Sequence, residues 1–263
     1  MPRQSEHMEL TQTLVPAWPV PKQVRACFTT RVGGMSTKPW DALNLATHVG
    51  DDPDTVQRNR ELLAAALGDS AARTRFQWLD QVHGIEVIEA RGDGVVRRAD
   101  AAWTKAPSVV CAVLTADCLP ILICDREGTM VAVAHAGWRG LAAGVIQSVV
   151  ASLGADPESL LVYLGPAVCA RCYEVGSEVR QQFLGKAADR KRREQVEACF
   201  RVSEAGGQRF QADLYQLARG QLQEIGVHEV YGGDFCTVEE PERFYSYRRE
   251  GRTGRQAALI WLE

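Results

Sequence analysis

Cys118 and His135 are the pair of residues in this sequence most readily brought together to do chemistry. They bracket Leu119–Asp125 and 129–134, two apolar, β-favouring runs that read as the arms of a hairpin. A two-residue loop at Arg126-Glu127 would set Asp125 opposite Gly128 and, in the same register, Cys118 opposite His135. Facing residues of an antiparallel pair hold their Cβ atoms about 4.5–5.5 Å apart. One zinc ion spans such a gap, with bonds near ~2.3 Å to sulfur and ~2.1 Å to nitrogen. His83, between two earlier apolar segments, completes a set of three, the usual protein complement of a catalytic zinc that keeps a fourth position open. The same atoms admit a second chemistry. Cys118 could be a nucleophile, His135 its base, and Asp117, Asn44 or His83 the group that orients the base. The two readings differ in whether a cation or an imidazolium holds the thiolate.

The elements needed to position these residues are legible as apolar runs and breaks. A strand over Val24–Thr29 precedes a turn with paired glycines, Thr29-Thr30-Arg31-Val32-Gly33-Gly34, which can present backbone N–H groups and Arg31 to an anion. Asp54 is expected to cap a helix over 55–67 that carries Arg58 and Arg60 and stops at Gly68. Strands at 76–79 and 85–90 flank His83. Helical spacing of apolar residues over 141–153, followed by a strand at Leu160–Leu164, makes a strand–helix–strand unit, so the fold class is α/β. Cys169-x-x-Cys172 has no second pair and is a weak zinc or redox signal. The basic run 186–193 reads as a solvated helix face, and 213–224 as an amphipathic helix.

Composition narrows the partners. The 263 residues suit one large domain over 13–263, after a flexible tail at 1–12. A formal charge of −3 provides no basic field for nucleic acid. No apolar run approaches membrane-spanning length, no signal peptide is evident, and the eight cysteines are irregularly spread, which together point to the cytoplasm. The H-x-E and P-C-x-x-C signature of nucleic-acid deaminases is not met, and P-loop, G-x-G-x-x-G and G-x-S-x-G patterns are missing. The oligomeric state is not encoded in any of these features.

Nearly the whole chain resembles the bacterial polyphenol oxidase or laccase-domain family, now described as purine nucleoside phosphorylases. The resemblance rests on Thr29-Thr30-Arg31-Val32-Gly33-Gly34, Asn44-Leu45, His48-Val49-Gly50-Asp51-Asp52, Asn59-Arg60, Gln81-Val82-His83-Gly84, Thr115-Ala116-Asp117-Cys118-Leu119-Pro120, His135-Ala136-Gly137-Trp138-Arg139-Gly140, Gly165-Pro166 with Cys172-Tyr173-Glu174-Val175, and Arg252-Thr253-Gly254-Arg255-Gln256. It implies an α/β fold with mixed β-sheets packed among helices, resembling the cysteine-hydrolase-like core of deamidating toxins. It also implies a zinc site at His83, Cys118 and His135, phosphorolysis of adenosine, inosine and S-methyl-5'-thioadenosine, and deamination of adenosine. In that setting Arg31 or Arg60 would bind phosphate, and Asn44 the base or ribose. Copper-dependent phenol oxidation and amidase action on a muropeptide precursor are the family's other descriptions. A non-enzymatic binding module with a structural metal is a further alternative, which a fourth protein ligand on the metal would favour.

Overall fold

Strands buried on both faces read as unbroken apolar runs rather than as alternating ones. Val109–Thr115, Leu119–Asp125 and Val131–Ala136 are buried at every position in the computed structural model, which describes residues 12–67, 75–204 and 206–263. Two mixed sheets lie face to face. The first runs, in spatial order, Thr13–Leu14, Val24–Thr29, Gln256–Leu262, Val109–Thr115 and Arg75–Gln77. The second runs Glu229–Gly232, Leu160–Leu164, Leu119–Asp125, Val131–Ala136, Ala101–Thr104 and Val87–Glu89.

Alternate side chains along each central strand serve different cores. Leu122, Cys124, Val131 and Val133 meet Phe28, Cys111, Val113, Ala258 and Ile260 between the sheets. Ile121, Ile123, Ala132 and Ala134 face the other way, against Ile146, Val149 and Leu153 of the helix Val145–Leu153 and Leu214, Leu217 and Ala218 of the helix Leu214–Glu224. On the outer face of the first sheet, Cys27, Ala112, Leu114 and Leu259 pack on Leu43, Leu45 and Leu63, the last from the helix Pro53–Ala66. The result is a single α/β domain layered helix, sheet, sheet, helix.

Several expectations need correction. The loop after Asp125 holds four residues, because the Asp125 carboxylate accepts from Thr129 N (2.7 Å) and Met130 N (3.1 Å) and draws the chain into a longer turn. Asp125 therefore faces Met130, bonding to its carbonyl at 3.4 Å, and His135 pairs with Pro120 rather than Cys118. A slip of two residues leaves every side chain on its original face. The helix expected over 141–153 is two helices, Trp138–Ala143 and Val145–Leu153, separated by Gly144 at φ 105°. Asp52, not Asp54, caps the helix Pro53–Ala66, accepting from Thr55 N at 2.9 Å with Pro53 in the first turn. Arg192, from the basic run, is buried and paired with Glu224 at 2.7 Å. The tail at 1–11 and the stop at Gly68 lie outside the described residues. Among the described residues, no helix is long and apolar enough to cross a membrane.

Candidate metal centre

Three separate elements deliver the three expected ligands to one point. His135 sits near the end of the strand Val131–Ala136. Cys118 sits in the turn 116–118 that carries the chain from the first sheet to the second. His83 lies in the loop after the short strand Leu79–Asp80. One donor atom from each of His83, Cys118 and His135 lies within 4.8 Å of the other two. Cys118 Sγ is 3.9 Å from His83 Nε2, and the two imidazoles stand edge to face with centroids 4.7 Å apart.

Asp100 organises this set, a role the sequence signalled only through the small residues around it. It is fully buried, just ahead of the strand Ala101–Thr104, and its main-chain carbonyl accepts from His135 N at 2.7 Å. Its carboxylate accepts from the backbone N–H groups of Val82 (3.2 Å), His83 (2.9 Å) and Gly84 (2.6 Å), and bonds His135 Nδ1 at 2.8 Å. One side chain thus fixes the loop bearing one imidazole and the ring orientation of the other, leaving His135 Nε2 for the centre. The arrangement holds His83 at φ 60° and Asp117 at φ 92°, left-handed conformations that non-glycine residues keep only under such constraint. Asp117 is tied down by Thr237 Oγ1 and Arg248 N, each donating at 2.6 Å to its carboxylate. Gly137 keeps the centre open, since a Cβ there would lie 3.0 Å from both Cys118 Sγ and His83 Cδ2.

Acting on one another alone, these side chains favour charge separation. Burial pushes the Cys118 thiol up, but His135 and His83 outweigh it and bring it down to about 6. Burial opposes the charged form of His135, yet the Cys118 thiolate and Asp100 carry it up to about 9. Burial likewise raises the Asp100 carboxyl, and His135 with the donated N–H groups returns it below its ordinary value. One thiolate and two imidazoles suit a soft-to-borderline divalent cation such as zinc and leave room for a fourth ligand.

The centre opens into a pocket of about 250 Å³, also lined by His48, Gln81, Leu114, Tyr247 and Arg255. The expected substrate-binding residues lie elsewhere. Asn44 is fully buried, its amide donating to Ala46 O and Asp51 Oδ2 while its carbonyl oxygen accepts from Ala46 N and Arg255 N. It has no capacity left for a nucleoside and instead braces the backbone of Arg255. Arg60 clamps Leu45 O at 3.0 and 2.8 Å and stacks over Trp78, its guanidinium 4.2 Å from the ring centroid. Arg31 lines a different cleft, of about 650 Å³, where it pairs with Glu250 at 2.7 Å and lies over Tyr245. Arg255 is the arginine among the residues lining the pocket of the centre. Its signal lies in Arg252-Thr253-Gly254-Arg255, but spacing alone assigns it no role.

Comparison with known proteins shows the family of the chain. The family model described as multi-copper polyphenol oxidoreductase laccase matches residues 25–263. A purine nucleoside phosphorylase of Pseudomonas aeruginosa is 52% identical over 250 residues, covering 95% of this chain and 98% of that protein. Purine nucleoside phosphorylase YfiH of Escherichia coli is 48% identical over 254 residues, covering 96% and 100%. The crystal structure of a Neisseria meningitidis protein superposes with a TM-score of 0.88 at 45% identity, covering 95% of this chain and 99% of that one. That of YlmD from Geobacillus stearothermophilus gives 0.85 at 30%, covering 97% and 99%.

Proposed function

The chain belongs to the multi-copper polyphenol oxidoreductase laccase family, and from that membership we propose that it is a zinc-dependent purine nucleoside enzyme, splitting adenosine, inosine and S-methyl-5'-thioadenosine with phosphate and also deaminating adenosine. The observation that carries the reading is the convergence of His83, Cys118 and His135 at the floor of a small pocket whose wall bears Arg255. The donor set fits zinc, with Asp100 behind His135 as the carboxylate that orients a ligating imidazole. When bound there, zinc would supply Lewis acidity, which serves both activation of water and stabilisation of phosphate charge.

The chain's own residues account for the rest. In phosphorolysis a phosphate oxygen forms a bond to the anomeric carbon while the bond to the purine nitrogen breaks, so phosphate must be held against the sugar. Arg255 offers a fixed positive charge for that anion, its own guanidinium anchored on the carbonyls of Thr253 (2.9 Å) and Gly254 (3.0 Å). Tyr247, exposed at the mouth, presents a ring face for a purine. Partial burial and Arg255 lower the pKa of His48, so its neutral imidazole can hydrogen-bond the purine, while the departing base takes its proton from solvent. Asn44 acts through the Arg255 backbone, and Arg60 through the Leu45 carbonyl. Replacing Arg255 by alanine is expected to raise the phosphate concentration needed for phosphorolysis by tenfold or more, in the range of ~1.5–3 kcal/mol for a lost charge-assisted bond, and to spare deamination. Arg60→Ala should affect both activities together. Chelation should abolish adenosine consumption and zinc should restore it; full activity in metal-free protein would reject the zinc assignment.

One observation favours a second reading. Cys118, His135 and Asp100 form a thiol, base and orienter in the order used by cysteine hydrolases. Trapping of substrate carbon on Cys118 in metal-free protein would support it over the zinc reading.

A further inference from the structure

Some distance along the chain from the pocket residues, three of the remaining cysteines and a carboxylate meet. Cys169 precedes and Cys172 ends the short 3-10 turn Ala170–Cys172, and Cys172 N donates to Cys169 O at 3.0 Å. Cys236 and Glu239 come from the loop after the strand Glu229–Gly232. One donor atom from each of Cys169, Cys172, Cys236 and Glu239 lies within 4.8 Å of the others. In the sequence, Cys169-x-x-Cys172 is only half a site. The fold supplies the other half from a loop more than sixty positions further on, Cys236 with Glu239 three residues later.

We propose that Cys169, Cys172, Cys236 and Glu239 form a second metal site, which holds one zinc-class divalent cation with three thiolates and a carboxylate and fastens the 165–173 loop to the 233–240 loop. A tetrahedron with bonds of about 2.3 Å has edges of roughly 3.8 Å, so the four donors need contract only slightly to close on a cation. The backbone is already set for this. Ala167 and Cys236 form a parallel bridge, Thr237 N donates to Ala167 O at 3.0 Å, and Cys169 N donates to Cys236 Sγ at 3.3 Å. The buried Tyr215 hydroxyl accepts from Ala167 N at 2.9 Å and lies 2.9 Å from the Phe235 carbonyl, joining the same two loops. Glu239 is oriented by Arg171, whose Nε and Nη2 donate to it at 3.1 and 2.6 Å. Three thiolates and a carboxylate on a dication carry a net charge of −2, which Arg171 partly offsets. Each cysteine gives up its thiol proton to solvent as the cation binds, and no oxidation is involved. Four protein ligands and no open position mark a structural site.

The site bears on the pocket through one short path. Thr237, next to Cys236, donates to Asp117, whose chain neighbour is Cys118. A cation that fixes the 233–240 loop therefore steadies the turn that presents the Cys118 thiol.

Cobalt(II) titration of the reduced, metal-free chain followed by its absorption tests the proposal without mutation. Two cobalt ions per chain are expected. The second site should give thiolate-to-cobalt absorption about three times as intense per metal as the first, in proportion to the thiolates bound, with the visible bands of tetrahedral cobalt. His83→Ala should lose one metal and keep the strong absorption, whereas Cys172→Ser and Cys236→Ser should lose the strong absorption and keep the weak. Should the unmutated chain bind a single cobalt with one-thiolate intensity, the proposal is overturned. It is equally overturned if thiol counting finds Cys169, Cys172 or Cys236 joined in a disulfide that excess zinc does not prevent.

Discussion

Asp100 is the residue on which the centre depends most, because it holds the His135 ring and the backbone of the loop that bears His83 at once. Asp100→Asn keeps the shape but places an amide donor against N–H groups that need an acceptor. The expected result is a ~10–100-fold loss of zinc affinity, read by competition with a chelating dye, and a stability loss of about 1–3 kcal/mol. Unchanged affinity would show that His135 orients itself. Gly137 makes a different prediction. Gly137→Ala puts a methyl 3.0 Å from Cys118 Sγ and His83 Cδ2, so metal content and turnover should fall together while thermal unfolding stays close to that of the parent. The Cys118 thiol gives a pH signature in metal-free protein. With its pKa at about 6, the reactive thiolate forms as pH rises through that value, and alkylation of Cys118 should follow with a midpoint near 6. A midpoint in the ordinary thiol range of about 8.5 would contradict the assigned role of His135. Cys27, buried and pushed up to about 12, should stay unreactive throughout.

At the scale of elements, burial on two faces makes some strands easy to read and their pairing hard. Leu119–Asp125 and Leu160–Leu164 stand out in the sequence at their observed limits as apolar runs between polar breaks, and Val24–Thr29 stands out although Arg25 interrupts it. Register does not follow, because the Asp125 carboxylate selects a four-residue turn over a two-residue one. The juxtaposition of Cys118 and His135 survives because the slip is an even number of residues. Gly144 is invisible as a break because the apolar spacing continues across it. Asn44, Arg31 and Arg60 are legible as important but not as to place, since hydrogen-bond saturation and cleft membership arise only when distant segments meet. Arg255 escapes sequence reading for the same reason. The two-faced burial also predicts an energetic cost. Leu122→Ala, between the sheets, should destabilise the fold by about 2–5 kcal/mol in denaturant unfolding, more than a surface change such as Arg190→Ala, which breaks only an exposed pair with Glu194.

The molecule as a whole is a layered scaffold that carries the chain from one sheet to the other at Cys118 and sets the pocket where the sheets part. Sheet edges and loops supply the ligands, and the closing turn 247–255 supplies the pocket wall through Tyr247 and Arg255. The same turn also borders the cleft of Arg31, through Glu250 and Arg252. This architecture explains why the recognisable motifs are scattered over most of the chain. If the His83, Cys118 and His135 centre works on purine nucleosides with phosphate, its products must depend on phosphate in a defined way. Zinc-loaded protein is incubated with adenosine, with and without phosphate, and the products are resolved by chromatography. Adenine and ribose 1-phosphate are expected only when phosphate is present, with inosine formed in either case, part of it split on to hypoxanthine when phosphate is present, and all of these activities lost in Cys118→Ala. Adenosine left intact under both conditions, or adenine released without any need for phosphate, would contradict the proposed function.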